Sequence, residues 1–318
     1  DGAAGEGDGA GGDGIGQMGE YGLPVQPSGT PTPSPTPPWL AGAGPYGKLR
    51  PVVFFSDLHC NVGMARVVGA AARGAGAELV LDGGDTTMDG TAVERYCVDQ
   101  LAEEIPAGVP WVVAAGNHDT EATRRQEQDA GAHVLDGSVA DVAGLAILGD
   151  KDPTHTEVGQ GTSLIGEETE ADVARRLRDT ACAARPRPDL LLVHDPDVAA
   201  AALEAGCVPA AVTGHMHTRS NPHVVGAGVL YTQSSTGRDT RNATMVGPLG
   251  APAEVTVMLF DATGRWVAWQ LLTVKPDATA SLSAIKAVPE PPAPELGTAG
   301  GSASPVPAEV PTAAQDER

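Results

Sequence analysis

Short apolar runs recur through the middle of the chain, and each is followed at once by a polar block. They span Pro51 to Ser56, Glu78 to Asp82, Trp111 to Ala115, Leu190 to Val193 and Ala210 to Thr213. Unbroken apolar character over so few residues predicts strands buried on both faces, as in a parallel sheet. Amphipathic segments near Ala65 to Arg73, Ala92 to Glu104, Thr120 to Asp129, Glu168 to Ala184 and Asp197 to Ala205 predict intervening helices. Further strands are predicted over Ala143 to Leu148, Val229 to Thr232, Glu254 to Phe260 and Trp266 to Val274, the last two joined by a turn at Asp261-Ala262-Thr263-Gly264. The chain therefore reads as α/β, with two sheets facing each other and helices outside.

The polar blocks carry the candidate chemistry. They are Asp57-Leu58-His59, Gly84-Asp85, Gly116-Asn117-His118-Asp119, His194-Asp195 and Gly214-His215-Met216-His217. Open α/β sheets bind ligands beyond the carboxyl ends of their strands, so residues 57 to 217 can converge on one cleft. Aspartate and histidine with one asparagine make a mixed oxygen and nitrogen donor set, suited to divalent Mn, Fe or Zn rather than to an all-oxygen Ca cage. The i, i+2 spacing of Asp57 with His59 and of His215 with His217 would put both members of each pair on one face of extended backbone. Paired divalent ions stabilise both the attacking and the leaving oxygen in a displacement at phosphorus, so the pattern points to phosphoester hydrolysis.

In these blocks the chain resembles the calcineurin-like metallophosphoesterase family, whose pattern is D-x-H, G-D, G-N-H-D/E, H and G-H-x-H. The resemblance covers roughly residues 51 to 275 and implies a four-layer α/β/β/α sandwich of two mixed sheets. It also implies one ion held by Asp57, His59, Asp85 and His217, and a second held by Asp85, Asn117, His194 and His215, with a hydroxide on the metals as nucleophile. His118 matches the histidine that contacts phosphate and protonates the leaving oxygen, with Asp119 as its orienting partner. One departure is Asp89, which stands one place later than the acidic residue of many relatives; that residue bears on tuning and substrate fit rather than on ligation.

Outside the blocks, His133, His155 and His223 have no ligand spacing around them and read as surface or loop residues. Asp82 and Asp195 either orient ligands or cap helices. In the stretch Gln233 to Arg241, Arg238 and Arg241 are candidate contacts for the non-reacting part of an anionic substrate, against a plain solvated loop. The polar, glycine-bearing segment from Asp150 to Gly166 is placed at the cleft, where substrate selection would lie. Four cysteines allow three full pairings, of which proximity favours Cys60 with Cys97 and Cys182 with Cys207. Cys60 as a free thiol near the metals is the other reading.

Length and 41% hydrophobic content allow one substantial core with additional ends. Residues 1 to 50 read as a Gly/Pro-rich flexible lead or linker, 51 to 275 as the catalytic domain, and 276 to 318 as a disordered tail rich in Ala, Pro and Glu. A net charge of −21 argues against a broad grip on long nucleic acid, while two ions and a few arginines still suit a small phosphorylated substrate. The Pro/Thr/Ser-rich lead after a first residue that is not methionine, together with the paired cysteines, suggests an extracytoplasmic protein, with a removed signal or a membrane anchor outside these 318 residues. Two classes of function follow: a dinuclear phosphoesterase, or an envelope-associated domain that binds the metals with little or no turnover.

Overall fold

A computed structural model describes residues 47–157, 159–237 and 248–292. The first half of the fold runs β1 (Arg50–Phe55), α1 (Val62–Ala75), β2 (Leu79–Asp82), α2 (Arg95–Glu104), β3 (Trp111–Val113), α3 (Glu121–Asp129) and β4 (His133–Val134). There follow β5 (Val139–Val142), β6 (Leu145–Gly149), the hairpin β7 (Thr154–Glu157) and β8 (Gly161–Leu164), then α4 (Glu170–Ala183), β9 (Leu190–Leu192) and α5 (Pro196–Glu204). The chain closes with β10 (Ala210–Thr213), β11 (Ser220–Val225), β12 (Gly228–Thr232), β13 (Ala253–Phe260), β14 (Trp266–Val274), β15 (Ala280–Leu282) and β16 (Lys286–Ala287).

One mixed sheet has the order β15-β14-β13-β1-β2-β3-β4, with β16 also on β14, and the other has the order β11-β12-β10-β9-β6-β5. The strands that precede the polar blocks are parallel neighbours within each sheet, β1-β2-β3 in one and β9-β10 in the other. Antiparallel β13 and β11 flank these parallel cores.

Alternation along β1 shows how the layers form. Val53 and Phe55 pack with α1 and α2, whereas Val52 and Phe54 pack against Leu190, Leu192, Val212 and Tyr231 of the opposite sheet. On the far side, Leu191, Ala211 and Leu230 meet Val173, Leu177, Val198 and Ala202 of α4 and α5. Helix, sheet, sheet and helix are thus stacked in four layers, with the central strands burying both of their faces. A fully buried Phe or Leu contributes about 1.5–3 kcal/mol by leaving water, which is why these strands carry almost no polar residues.

The exception is a polar bridge between the sheets. The buried Tyr231 hydroxyl donates to Gln233 Oε1 at 2.8 Å and lies 2.6 Å from Thr256 Oγ1, and Gln233 Nε2 donates to the Glu254 carbonyl. Burial pushes the phenol well above its ordinary range, so it stays neutral. Because every polar atom there has a partner, the network fixes how one sheet sits on the other.

Local signals explain the helix ends. Asn61 accepts from the Met64 amide to start α1, and Gly76 at φ 65° ends it. Thr120 starts α3 and Thr169 starts α4 with capping boxes, and Asp195 caps α5, ahead of Pro196 at its first turn. Of the two roles open to Asp195, the structure shows the cap.

The sheet continues past residue 275, where the sequence reading ended the domain. β15 and β16 pair with β14 through Leu272↔Leu282 and Trp269↔Lys286. Their short, small-residue composition resembles the tail that follows, and pairing to a long neighbour, not local propensity, makes them strands. No helix among the described residues is long and apolar enough to cross a membrane.

Candidate metal centre

The polar blocks leave the carboxyl ends of β1, β2, β3, β9 and β10 and meet in one place. Donor atoms of Asp57, His59, Asp85 and His217 all lie within 4.8 Å of one another, in a pocket where the first three are buried. His217 Nε2 is 3.2 Å from Asp57 Oδ1 and 3.1 Å from His59 Nε2. On the other side of Asp85, His194 Nε2 is 3.2 Å from Asp85 Oδ2, and His215 Nδ1 is 2.9 Å from Asn117 Oδ1. The rings of His194 and His215 stand 5.1 Å apart.

The backbone that presents these groups is not extended. Asp57, His59, Cys60, Asp85, His215 and His217 all have φ between 46° and 65°, the left-handed region that side chains other than glycine rarely enter. The i, i+2 pairs therefore converge because the chain turns sharply, not because a strand alternates. Conformations of this kind cost about 1–3 kcal/mol each and persist where surrounding contacts enforce them.

Those contacts are present. Amides of Asp57, His59 and Cys60 donate to the carbonyls of Gly84, Asp85 and Thr86 at 2.8–2.9 Å, zipping the loop after β1 to the loop after β2. The Asp57 carbonyl accepts from the Gly237 amide and the Ser235 hydroxyl, and the Asp57 carboxylate accepts from the His215 amide at 3.1 Å. Glycine is required at two of the approaches. A Cβ on Gly116 would collide with Asp85 Oδ1, and one on Gly214 would collide with Ser56 Oγ.

Asp119 does not orient His118. Its carboxylate accepts from the amides of Asp85 (2.7 Å), Thr87 (3.0 Å) and Gly116 (3.0 Å), so it braces the loop that carries Asp85. The partner of His118 Nδ1 is the Met88 carbonyl, 2.6 Å away, and the His118 amide donates to Asp85 Oδ1 at 2.8 Å. An aspartate beside a histidine in sequence suggested a pair, but the turn after β3 sends the two side chains in different directions. Asp82 lies beneath the same loop, accepting from the Gly84 amide and the Thr86 hydroxyl.

Several supports carried no sequence signal. The Gly83 carbonyl holds His194 Nδ1 at 2.7 Å, and Glu94 gathers the amides of Met88, Asp89 and Thr91 ahead of α2. Main-chain carbonyls are invisible to residue-type reasoning, and only the i, i+3 spacing of Thr91 and Glu94, a capping box, could have flagged the second. Gln233 to Gly237, the described part of the stretch that carries Arg238 and Arg241, contacts the Asp57 turn and Glu254. Arg238 and Arg241 lie outside the described residues. Disulfides join Cys60 to Cys97 and Cys182 to Cys207, so Cys60 is not a free thiol.

The buried groups of the cluster interact electrostatically through Asp85. Burial pushes the Asp85 carboxyl up, but the surrounding imidazoles, His194 foremost, outweigh it and hold Asp85 well below the usual range. Burial drives the His59 imidazole down to about 4, which leaves it neutral, the form that ligates a metal. His194 Nε2 is buried without a hydrogen bond of acceptable geometry, although it lies beside Asp85. Donors about 2.1 Å from one ion stand about 3.0–3.4 Å from each other, a spacing that the buried donors of this cluster match. The donor set therefore fits divalent ions of the Mn, Fe or Zn type.

No curated protein matches the chain. Among solved structures, TT1561 of Thermus thermophilus is 12% identical, with a TM-score of 0.51 over 72% of this chain and 99% of its own. An archaeal phosphodiesterase is 11% identical, with a TM-score of 0.44 over 70% and 99% of the two chains. The NAD nucleotidase of Haemophilus influenzae is 15% identical, with a TM-score of 0.41 over 75% of this chain and 50% of that one. The calcineurin-like phosphoesterase family model matches residues 50–219, a span that takes in all five polar blocks. Convergent donors, a four-layer fold and that match agree, and the chain belongs to the calcineurin-like phosphoesterase family.

Proposed function

We propose that the protein hydrolyses a phosphomonoester or phosphodiester with two divalent ions. The observation that carries this reading is the sharing of Asp85, which completes the cluster with Asp57, His59 and His217 and also lies 3.2 Å from His194. One ion would be held by Asp57, His59, Asp85 and His217, and the other by Asp85, Asn117, His194 and His215. Such ions, when bound, activate water and offset the charge of a phosphate.

The protein's own groups supply the rest. His118 donates Nδ1–H to the Met88 carbonyl, which fixes its tautomer and leaves Nε2 as the nitrogen that exchanges a proton. Its imidazolium form gives that proton to the leaving oxygen as a general acid. Asp119 keeps the Asp85 loop in place beneath it. Arg238 and Arg241 would meet the non-reacting part of a small anionic substrate, and a net charge of −21 disfavours long nucleic acid. Two disulfides support a location outside the cytoplasm, free or anchored.

The test uses purified protein with Mn, bis-p-nitrophenyl phosphate and p-nitrophenyl phosphate. Turnover of at least one substrate is expected, with His118→Ala lowering kcat by about 10²–10⁴ while metal content is retained. Absence of turnover with every divalent metal and both substrates would leave a metal-binding envelope domain as the better reading.

A further inference from the structure

An asparagine ligand poses a problem that aspartate and histidine do not. Its carboxamide offers an oxygen and an NH₂ group of nearly equal size, and only the oxygen can face a cation. Something must engage the NH₂ group if the right end is to point inward. In this chain that group is Thr156, on the β7–β8 hairpin.

Asn117 Nδ2 donates to Thr156 Oγ1 at 2.7 Å, while Asn117 Oδ1 stays 2.9 Å from His215 Nδ1. A second bond holds the pair in register, because the Thr156 amide donates to the Asn117 carbonyl at 2.8 Å. Thr156 Oγ1 also lies 2.7 Å from Thr162 Oγ1, its cross-strand partner. Whichever of the two hydroxyls donates, the Thr156 oxygen keeps a lone pair for the Asn117 amide. The hairpin is pinned next to the loop after β3 by the Asp152 amide, which donates to the Ala115 carbonyl at 2.9 Å.

We propose that Thr156 is a positioning residue that aims Asn117 Oδ1 at the ion shared with His194 and His215, and that the β7–β8 hairpin is thereby part of the metal centre. The proposal rests on the two-ion reading above. Losing a residue that orients a ligand costs about 10–100-fold in metal affinity or activity. Thr156→Val keeps the shape and the backbone bond and removes only the hydroxyl.

The experiment titrates Mn into metal-free protein by calorimetry and measures metal retained after dialysis, for the unaltered protein, Thr156→Val, Thr156→Ser and Thr162→Val. One of two Mn sites should weaken about 10–100-fold in Thr156→Val, with the other unchanged. Thr156→Ser should restore it to within about threefold, and Thr162→Val, on the exposed strand, should weaken it by about two- to tenfold, the value of one hydrogen bond. In assays at saturating Mn, kcat should fall more than KM rises. Unaltered Mn binding in Thr156→Val, or a serine variant as defective as the valine one, overturns the proposal while the function stands. Two-site binding without turnover in the unaltered protein overturns the function alone, and binding of fewer than two ions overturns both.

Discussion

Around Asp57, His59 and Asp85 the main chain does the holding: left-handed turns are locked by amide-to-carbonyl bonds between two adjacent loops. Around Asn117 and His194, by contrast, one acceptor atom sets the aim of each side chain, Thr156 Oγ1 for the first and the Gly83 carbonyl for the second. A zipper of main-chain bonds cannot be undone by shortening a side chain, whereas a single hydroxyl or carbonyl can be lost or displaced. The first cluster should therefore survive most conservative substitutions around it, and the second should be sensitive to its neighbours.

The most damaging way to break this contrast is to force the shared residue out of place. In Gly116→Ala the new Cβ would meet Asp85 Oδ1 and lie 2.6 Å from the Asp85 amide nitrogen, so the turn that carries Asp85 must shift. If Asp85 serves both ion positions as proposed, losses of about 10–100-fold at each multiply to about 10²–10⁴-fold in activity. Metal analysis should show both ions depleted, and full retention of two ions would contradict the geometry described here.

A smaller effect sharpens the comparison by using the disulfides. Cys60–Cys97 joins the turn next to His59 to α2, and Cys182–Cys207 joins α4 to the start of the β10 approach, with sequence separations of 37 and 25. Replacing either pair with alanine should cost about 2–4 kcal/mol of stability, read from urea melts. Only the Cys60/Cys97 replacement should also weaken Mn binding, because only that bridge restrains a ligand turn. Equal Mn affinity in both double variants would mean that the backbone zipper holds the turn unaided.

Much of this was legible in the sequence because the signals were periodic or dense. Apolar runs located the parallel strands, and donor residues immediately after them located the site. Hidden were elements whose reason is tertiary: the β7–β8 hairpin with its exposed, polar Gly161 to Leu164 strand, and β15, exposed throughout, which exists by pairing with β14. The role of Asp119 was also hidden. Proximity to His118 suggested one partner, while the backbone amides of Asp85, Thr86, Thr87 and Gly116 supply the actual ones. Residue type tells which atoms can ligate or accept a bond, but the direction of a turn decides which neighbour they reach.

Beneath both clusters, α3 buries a carboxyl that neither uses. Glu127 is fully buried, and neither of its oxygens receives a hydrogen bond of good geometry among the described residues. Burial, then the charges of Asp119 and Asp82, push it well above its ordinary 4.5, which favours the neutral acid in the folded protein. Asp82 is raised to about 8 by the same causes, burial first and then Asp119. For a carboxyl raised on folding, the unfolded chain releases the proton first, so its stabilising contribution is complete below the unfolded pKa and is lost as pH rises toward the folded one. Glu127→Gln keeps the shape and abolishes that loss. Thermal melts should then show similar stability for variant and parent near pH 4.5, with the variant gaining as pH rises, at most about 1.4 kcal/mol per pH unit. Since Glu127 touches no ligand, Mn affinity should be unchanged; a stability difference that stays flat from pH 4.5 to 8 would show that the carboxyl is ionised in place, and that α3 holds a partner for it that the packing does not reveal.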